Sequence, residues 1–159
     1  MPLPAKLRPG CFIMNNLGNW LPNEKEFGPD ESEYVPGISE DMWKKLLKDN
    51  SVFTDNALIV MKCILDYGGE AACVDLAEAY GRTKNFYNLI SSQLAKRVHD
   101  ETGCKLYVGT GDRFAGDERL WPVLYTGKYT ENHSKFIYRL RRELKTALIR
   151  MIVKDVDFK

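Results

Sequence analysis

The stretch TKNFYNLISSQLAKRVH, residues 83–99, holds the side chains whose types and spacing suit recognition chemistry. Asn and Gln can pair bidentately with adenine, while Ser, Thr and Tyr reach phosphates or base edges. Lys84, beside a helix N-terminus, suits a phosphate. Apolar residues at 86, 90, 94 and 98, flanked by Leu89 and Ala95, predict one buried face. The opposite face is then Lys84, Asn85, Tyr87, Asn88, Ser91, Ser92, Lys96 and Arg97. No carboxylate occurs from Thr83 to Arg97, whereas an ordinary solvated helix mixes both signs. That bias favours a polyanion surface; a polar docking face for a partner protein is the alternative. On the first reading Asn85, Tyr87, Asn88, Ser91 and Ser92 face base edges. Thr83, Lys84, Lys96 and Arg97 hold phosphates, joined by Arg113 from the Gly-rich loop GTGDRFAGDERL at 109–120. About five phosphates engaged would give a salt slope of roughly −4 to −5, at ~0.9 per phosphate.

Other chemistry is weakly represented. The 109–120 loop lacks the Lys-Ser/Thr of a phosphate-binding loop and opens no helix, so nucleotide binding is not expected there. Neither G-x-S-x-G nor H-E-x-x-H occurs, and no Cys/His pair has an evident orienting residue, so a non-enzyme is expected. Cys11, Cys63, Cys73 and Cys104 form no C-x-x-C pair and read as buried free thiols. His99 and His133 are far apart, so neither a metal nor a cofactor is expected. Aromatic residues between Tyr107 and Tyr138 read as core, with a stacking platform for an extruded base as the alternative.

The elements that must position this stretch follow from caps and periodicity. Ser39 opens a short helix with Met42, Trp43, Leu46 and Leu47 on one stripe. Thr54 caps a second, stopped at Gly68-Gly69; Val74–Tyr80 forms a third, ended by Gly81. The fourth starts at Thr83 or Asn85 and stops near Gly103. The period then changes to two. CKLYVG (104–109) and WPVLYTGKY (121–129) read as a hairpin across the long loop, FIYRL (136–140) as a short strand, and 141–153 as a closing amphipathic helix. Residues 1–38, rich in Pro, Gly and Asn, read as an irregular N-terminal strap or arm, in which only CFIM has strand character. Three helices and a hairpin predict an α+β fold, a winged helix-turn-helix, within a domain spanning 39–159 that adds a C-terminal helix.

At 159 residues, 44% hydrophobic and 28% charged, the chain is sized and composed for one globular domain. No apolar run reaches the ~20 residues of a membrane span, and the first residues lack a signal-peptide stretch, so a cytoplasmic protein is expected. The net charge of +1 hides an asymmetry. Residues 1–50 carry six Lys/Arg against eight Asp/Glu, residues 51–81 one against five, and residues 82–159 sixteen against nine. Basic charge thus begins where the recognition stretch begins.

The run from GGEAACVDLAEAYG through FIYRLRRELKTAL resembles a module beside the motor in McrB-like modification-dependent restriction proteins of the AAA family. The likeness rests on Leu76-Ala77-Glu78, Tyr80-Gly81, Thr83, Tyr87-Asn88, Ser91-Ser92, Leu94-Ala95 and Arg97. It continues through Thr102-Gly103-Cys104, Trp121-Pro122-Val123-Leu124, Arg139-Leu140-Arg141 and Glu143-Leu144. The resemblance implies DNA recognition or assembly in defence against foreign DNA. No Walker A motif is present, so the chain would be a stand-alone reader or work with a separate ATPase or nuclease subunit. Duplex DNA is the expected partner, with homodimerisation open. A protein-interaction adaptor and a transcriptional regulator are the alternatives.

Overall fold

A computed structural model describes residues 12–14, 20–22, 27–109, 117–132 and 134–157. Near the N-terminus, β1 (Phe12–Met14) pairs antiparallel with β2 (Trp20–Pro22), a hairpin of which only the first strand is expected from the sequence. Residues 27–38 lie against the rest of the chain. Phe27 is buried beneath Arg139 and Lys128, whose cationic ends stand 3.5 and 4.8 Å from its ring centre. Tyr34 is buried and donates to the Lys105 carbonyl at 2.7 Å.

The helices form where local signals place them. In α1 (Glu40–Leu47) the Ser39 hydroxyl accepts from the Met42 amide, and Trp43, Leu46 and Leu47 turn inward. Thr54 does the same for Ala57 at the start of α2 (Asp55–Asp66). The next segment departs from expectation: Glu70–Ala72 is a strand, β3, leading straight into α3 (Cys73–Tyr80). Three residues, two of them alanine, carry no alternation of their own. Their conformation is set by pairing with a strand some 65 residues further on. Gly81, at φ +87°, ends α3, and α4 (Lys84–Thr102) follows within three residues.

The β half is wired differently from the predicted hairpin. Residues 104–108 do not pair with 121–126. Instead β4 (Tyr107–Val108) pairs with β5 (Glu118–Arg119), and Trp121–Val123 forms a 3₁₀ turn. The strand that follows, β6 (Tyr125–Tyr129), pairs with β7 (Phe136–Leu140) across a tight turn, and β7 takes β3 on its other edge. The three-stranded sheet has the order β3-β7-β6. Pro122 has no amide to donate, which disfavours a ladder through 121–123. The closing helix α5 (Arg142–Asp157) packs on α1, burying Leu144, Ala147 and Leu148. The fold is thus mixed α+β around one core, with Trp43, Phe53, Met61, Leu76, Leu94, Leu124 and Leu144 among its fully enclosed side chains.

Candidate nucleic-acid interface

The α4 helix carries nine of the ten side chains singled out above, or caps its start, and it divides them. Thr83 is the N-cap: its hydroxyl accepts from the Phe86 amide at 3.2 Å. Lys84, Asn85, Asn88 and Lys96 are exposed, and Ser92 is half-exposed. Lys96 pairs with Asp100 one turn on, at 3.2 Å, in an arrangement open to solvent. Such a pair contributes little and is easily exchanged for a phosphate.

Tyr87 and Ser91 do not face outward. Both are buried, and both already have partners. The Tyr87 hydroxyl donates to the Gly81 carbonyl at 2.7 Å, and Ser91 shares a 2.7 Å hydrogen bond with the hydroxyl of Tyr125. They are therefore withdrawn from base readout. The reason is a rotation of the buried stripe: Tyr87, Ile90, Ser91, Leu94, Ala95 and Val98 form it, leaving Phe86 half-exposed and Leu89 56% exposed. Burial opposes ionisation of both Tyr87 and Tyr125, raising each hydroxyl above the usual tyrosine value, so each stays a neutral hydrogen-bonding group. Arg97 is also committed inward: its Nε donates to the Val52 carbonyl at 2.8 Å, joining α4 to the loop before α2. Arg113 lies outside the described residues, as does all of 110–116.

Three residues missing from the predicted set belong to the outward face. Arg82 sits at φ +63° just before the cap, with its guanidinium 4.7 Å from the Phe86 ring centre. Gln93 is exposed beside Ser92 and Lys96. Leu89 is apolar in the middle of this polar surface. Arg82 is legible in the sequence as the cation that directly precedes the Thr83 cap. Among the helices of the described residues, α4 alone has no acidic residue in its first turn.

Beside α4 the sheet adds aromatic surface. The Tyr138 hydroxyl donates to the Asn88 Oδ1 at 3.3 Å, and Trp121, Phe136 and Tyr138 stack edge-on or tilted with ring centres 5.3–5.8 Å apart. Burial pushes the Tyr138 hydroxyl up to about 12. At the β6–β7 turn, Lys135 reaches across to Asp75 of α3 at 2.7 Å, which raises the Lys135 ammonium further. Among the described thiols Cys104 is buried and Cys63 and Cys73 are half-buried, with burial lifting Cys73 to about 11; Cys11 lies outside the described residues. Among the described residues no group of three or more His, Cys, Asp or Glu is placed to hold a metal, and no helix is long and apolar enough to cross a membrane. No family model, no curated protein and no solved structure matches the chain.

Proposed function

We propose that this chain is a non-catalytic winged helix-turn-helix module that binds duplex DNA through the outward face of α4. The order α2–β3–α3–α4–β4–β5–β6–β7, with β3, β7 and β6 forming one sheet in the order β3-β7-β6, supports that architecture. In it α3 and α4 are the helix-turn-helix pair, and the β6–β7 turn takes the place of the wing expected at 109–120. The observation that carries the proposal is electrostatic. From Arg82 to Lys96 the exposed side chains are cationic or neutral, on a helix whose N-terminal dipole meets no carboxylate. Asn85, Asn88 and Gln93 are the base-reading candidates; Arg82, Lys84 and Lys96 hold the backbone, with the Thr83 cap fixing the helix end beneath it. With three cations engaged, the salt slope is expected at roughly −2 to −3. A defence role alongside a separate ATPase or nuclease follows only from the resemblance to McrB-like proteins.

Leu89 favours a second reading, a docking face for a partner protein, because a half-exposed leucine at the centre of a surface is what such a contact buries. Fluorescence anisotropy against plain and cytosine-methylated duplexes at two salt concentrations separates the two. Salt-sensitive binding that Lys84→Glu abolishes and Leu89→Ala spares supports DNA. Absence of binding at low salt by a folded, concentrated sample refutes it.

A further inference from the structure

We propose that an aromatic cage beside the β6–β7 pair binds a methylated ammonium group. Four rings from four segments wall a cavity of about 310 Å³: Tyr107 of β4, Trp121 of the 3₁₀ turn, Tyr129 of β6 and Phe136 of β7. Its volume is at the small end of the ~300–1,000 Å³ usual for ligand sites. None of the α4 residues assigned to DNA lines it. Trp121 and Phe136 are only half-buried, and Tyr129 is 58% exposed. Three neighbouring rings left partly in water form an apolar surface that folding itself does not use.

The walls are fixed in place, and their angles select the ligand. Gly127 lies beneath Phe136, and a Cβ there would collide with that ring, so glycine lets the ring rest on the β6 backbone. Tyr107 packs on the buried Tyr34, whose ring centre is 5.7 Å away. Phe136 meets Trp121 at 70° and Tyr129 at 75°, with centres 5.3 and 4.9 Å apart. A nucleobase stacks flat against a ring and is best held between parallel plates, whereas steeply inclined walls surround a compact cation.

Charge and hydrogen-bonding capacity agree. Glu33 is the one carboxylate in the lining; its Oε1 accepts from the Asp30 amide at 3.2 Å, and it makes no ion pair among the described residues. Lys128 is the one cation in the lining, and its ammonium stands 4.8 Å from the Phe27 ring centre. Along β6 the side chain at 128 takes the opposite face from those at 127 and 129. Apart from Glu33, the lining side chains offer only tyrosine hydroxyls as acceptors. An ordinary ammonium would lose hydrogen bonds to water that this cavity cannot replace; a permethylated one has none to lose.

Tetramethylammonium is the probe, titrated into the full chain while the Trp121 indole N–H and the amides of 127–129 and 136 are followed by NMR. Saturable shifts confined to those groups are expected. Tyr129→Ala should weaken the affinity about tenfold, the size of one desolvated cation–π contact, and Tyr129→Phe should keep it. Glu33→Gln should weaken it about threefold. Both side chains are exposed, so these variants keep the fold. Lys84→Glu should leave the titration unchanged, which separates this test from that of the DNA reading. The absence of saturable shifts, or an affinity indifferent to Tyr129→Ala, overturns the proposal. Neutral tert-butanol binding as tightly as tetramethylammonium overturns the cation assignment, and tighter binding of thymidine reassigns the rings to a nucleobase. Choline and a trimethyllysine peptide distinguish a small solute from a protein tail as the source of the cation. Failure of both to displace tetramethylammonium overturns the assignment.

Discussion

On the inward face of α4, Tyr87 and Ser91 are as polar as Asn85 and Asn88 on the outward face, yet the first pair is buried and the second exposed. The difference lies in where their hydrogen bonds go. The inward hydroxyls end on the Gly81 carbonyl and on Tyr125. Outward, the cations find only a neighbouring carboxylate at Asp100 and a ring at Phe86, while Asn88 meets a long contact from Tyr138. Polar residues therefore serve two ends on one helix: inside they fix how it seats, outside they remain available. A surface intended for a polyanion keeps its donors unspent, and a core cannot.

Alkali should break this comparison most severely, because it acts on the inward side. Burial raises Tyr125 strongly and takes Tyr34 and Tyr138 from the ordinary value of 10 to about 12. The folded-state values lie above the unfolded ones, so the corresponding stability is complete below pH 10 and is lost as pH rises through 12. Tyrosinate absorbance and circular dichroism should change together; ionisation of the buried hydroxyls with the fold intact would contradict the burial argument. Tyr87→Ala comes next, with a loss of about 3–5 kcal/mol in urea unfolding from the vacated ring volume. A loss below ~1 kcal/mol would mean that the ring is not core. Ser91→Ala is expected to cost about 1–3 kcal/mol, since the hydroxyl of Tyr125 is then buried without a partner. Adding Tyr125→Phe should return part of that loss, a coupling that a double-mutant cycle measures directly. Thr83→Ala, at the boundary between the faces, removes a cap and should cost about 1 kcal/mol. Asn88→Ala, fully outside, should leave stability within about 0.5 kcal/mol.

The same contrast explains what could be read from the residues alone. All five helices were legible because their starts and stops are local: Ser39, Thr54 and Thr83 cap, while Gly81 and Gly103 terminate. The β7 strand at 136–140 was legible from its composition. The β3 strand was not, since Glu70-Ala71-Ala72 becomes a strand only by pairing with Arg139, Tyr138 and Ile137. The hairpin was misassigned because proximity in sequence favours joining 104–108 to 121–126, whereas the edge for β6 is supplied by β7 after a tight turn. In α4, side-chain polarity misplaced the stripe by one position: Phe86 and Leu89 look like core and Tyr87 looks like surface. What decided the matter was the acceptor at Gly81, which lies in the turn before the helix and is invisible to periodicity.

Duplex-DNA anisotropy on Lys84→Glu with Lys96→Glu, set beside Ser91→Ala under conditions where every variant is folded, tests the division of α4 most directly. If the outward face is the working one, the double charge reversal abolishes salt-dependent binding with no change in fold, and Ser91→Ala binds as the parent chain does. Undiminished binding by the charge-reversed chain would contradict the account and move the DNA contact elsewhere on the molecule.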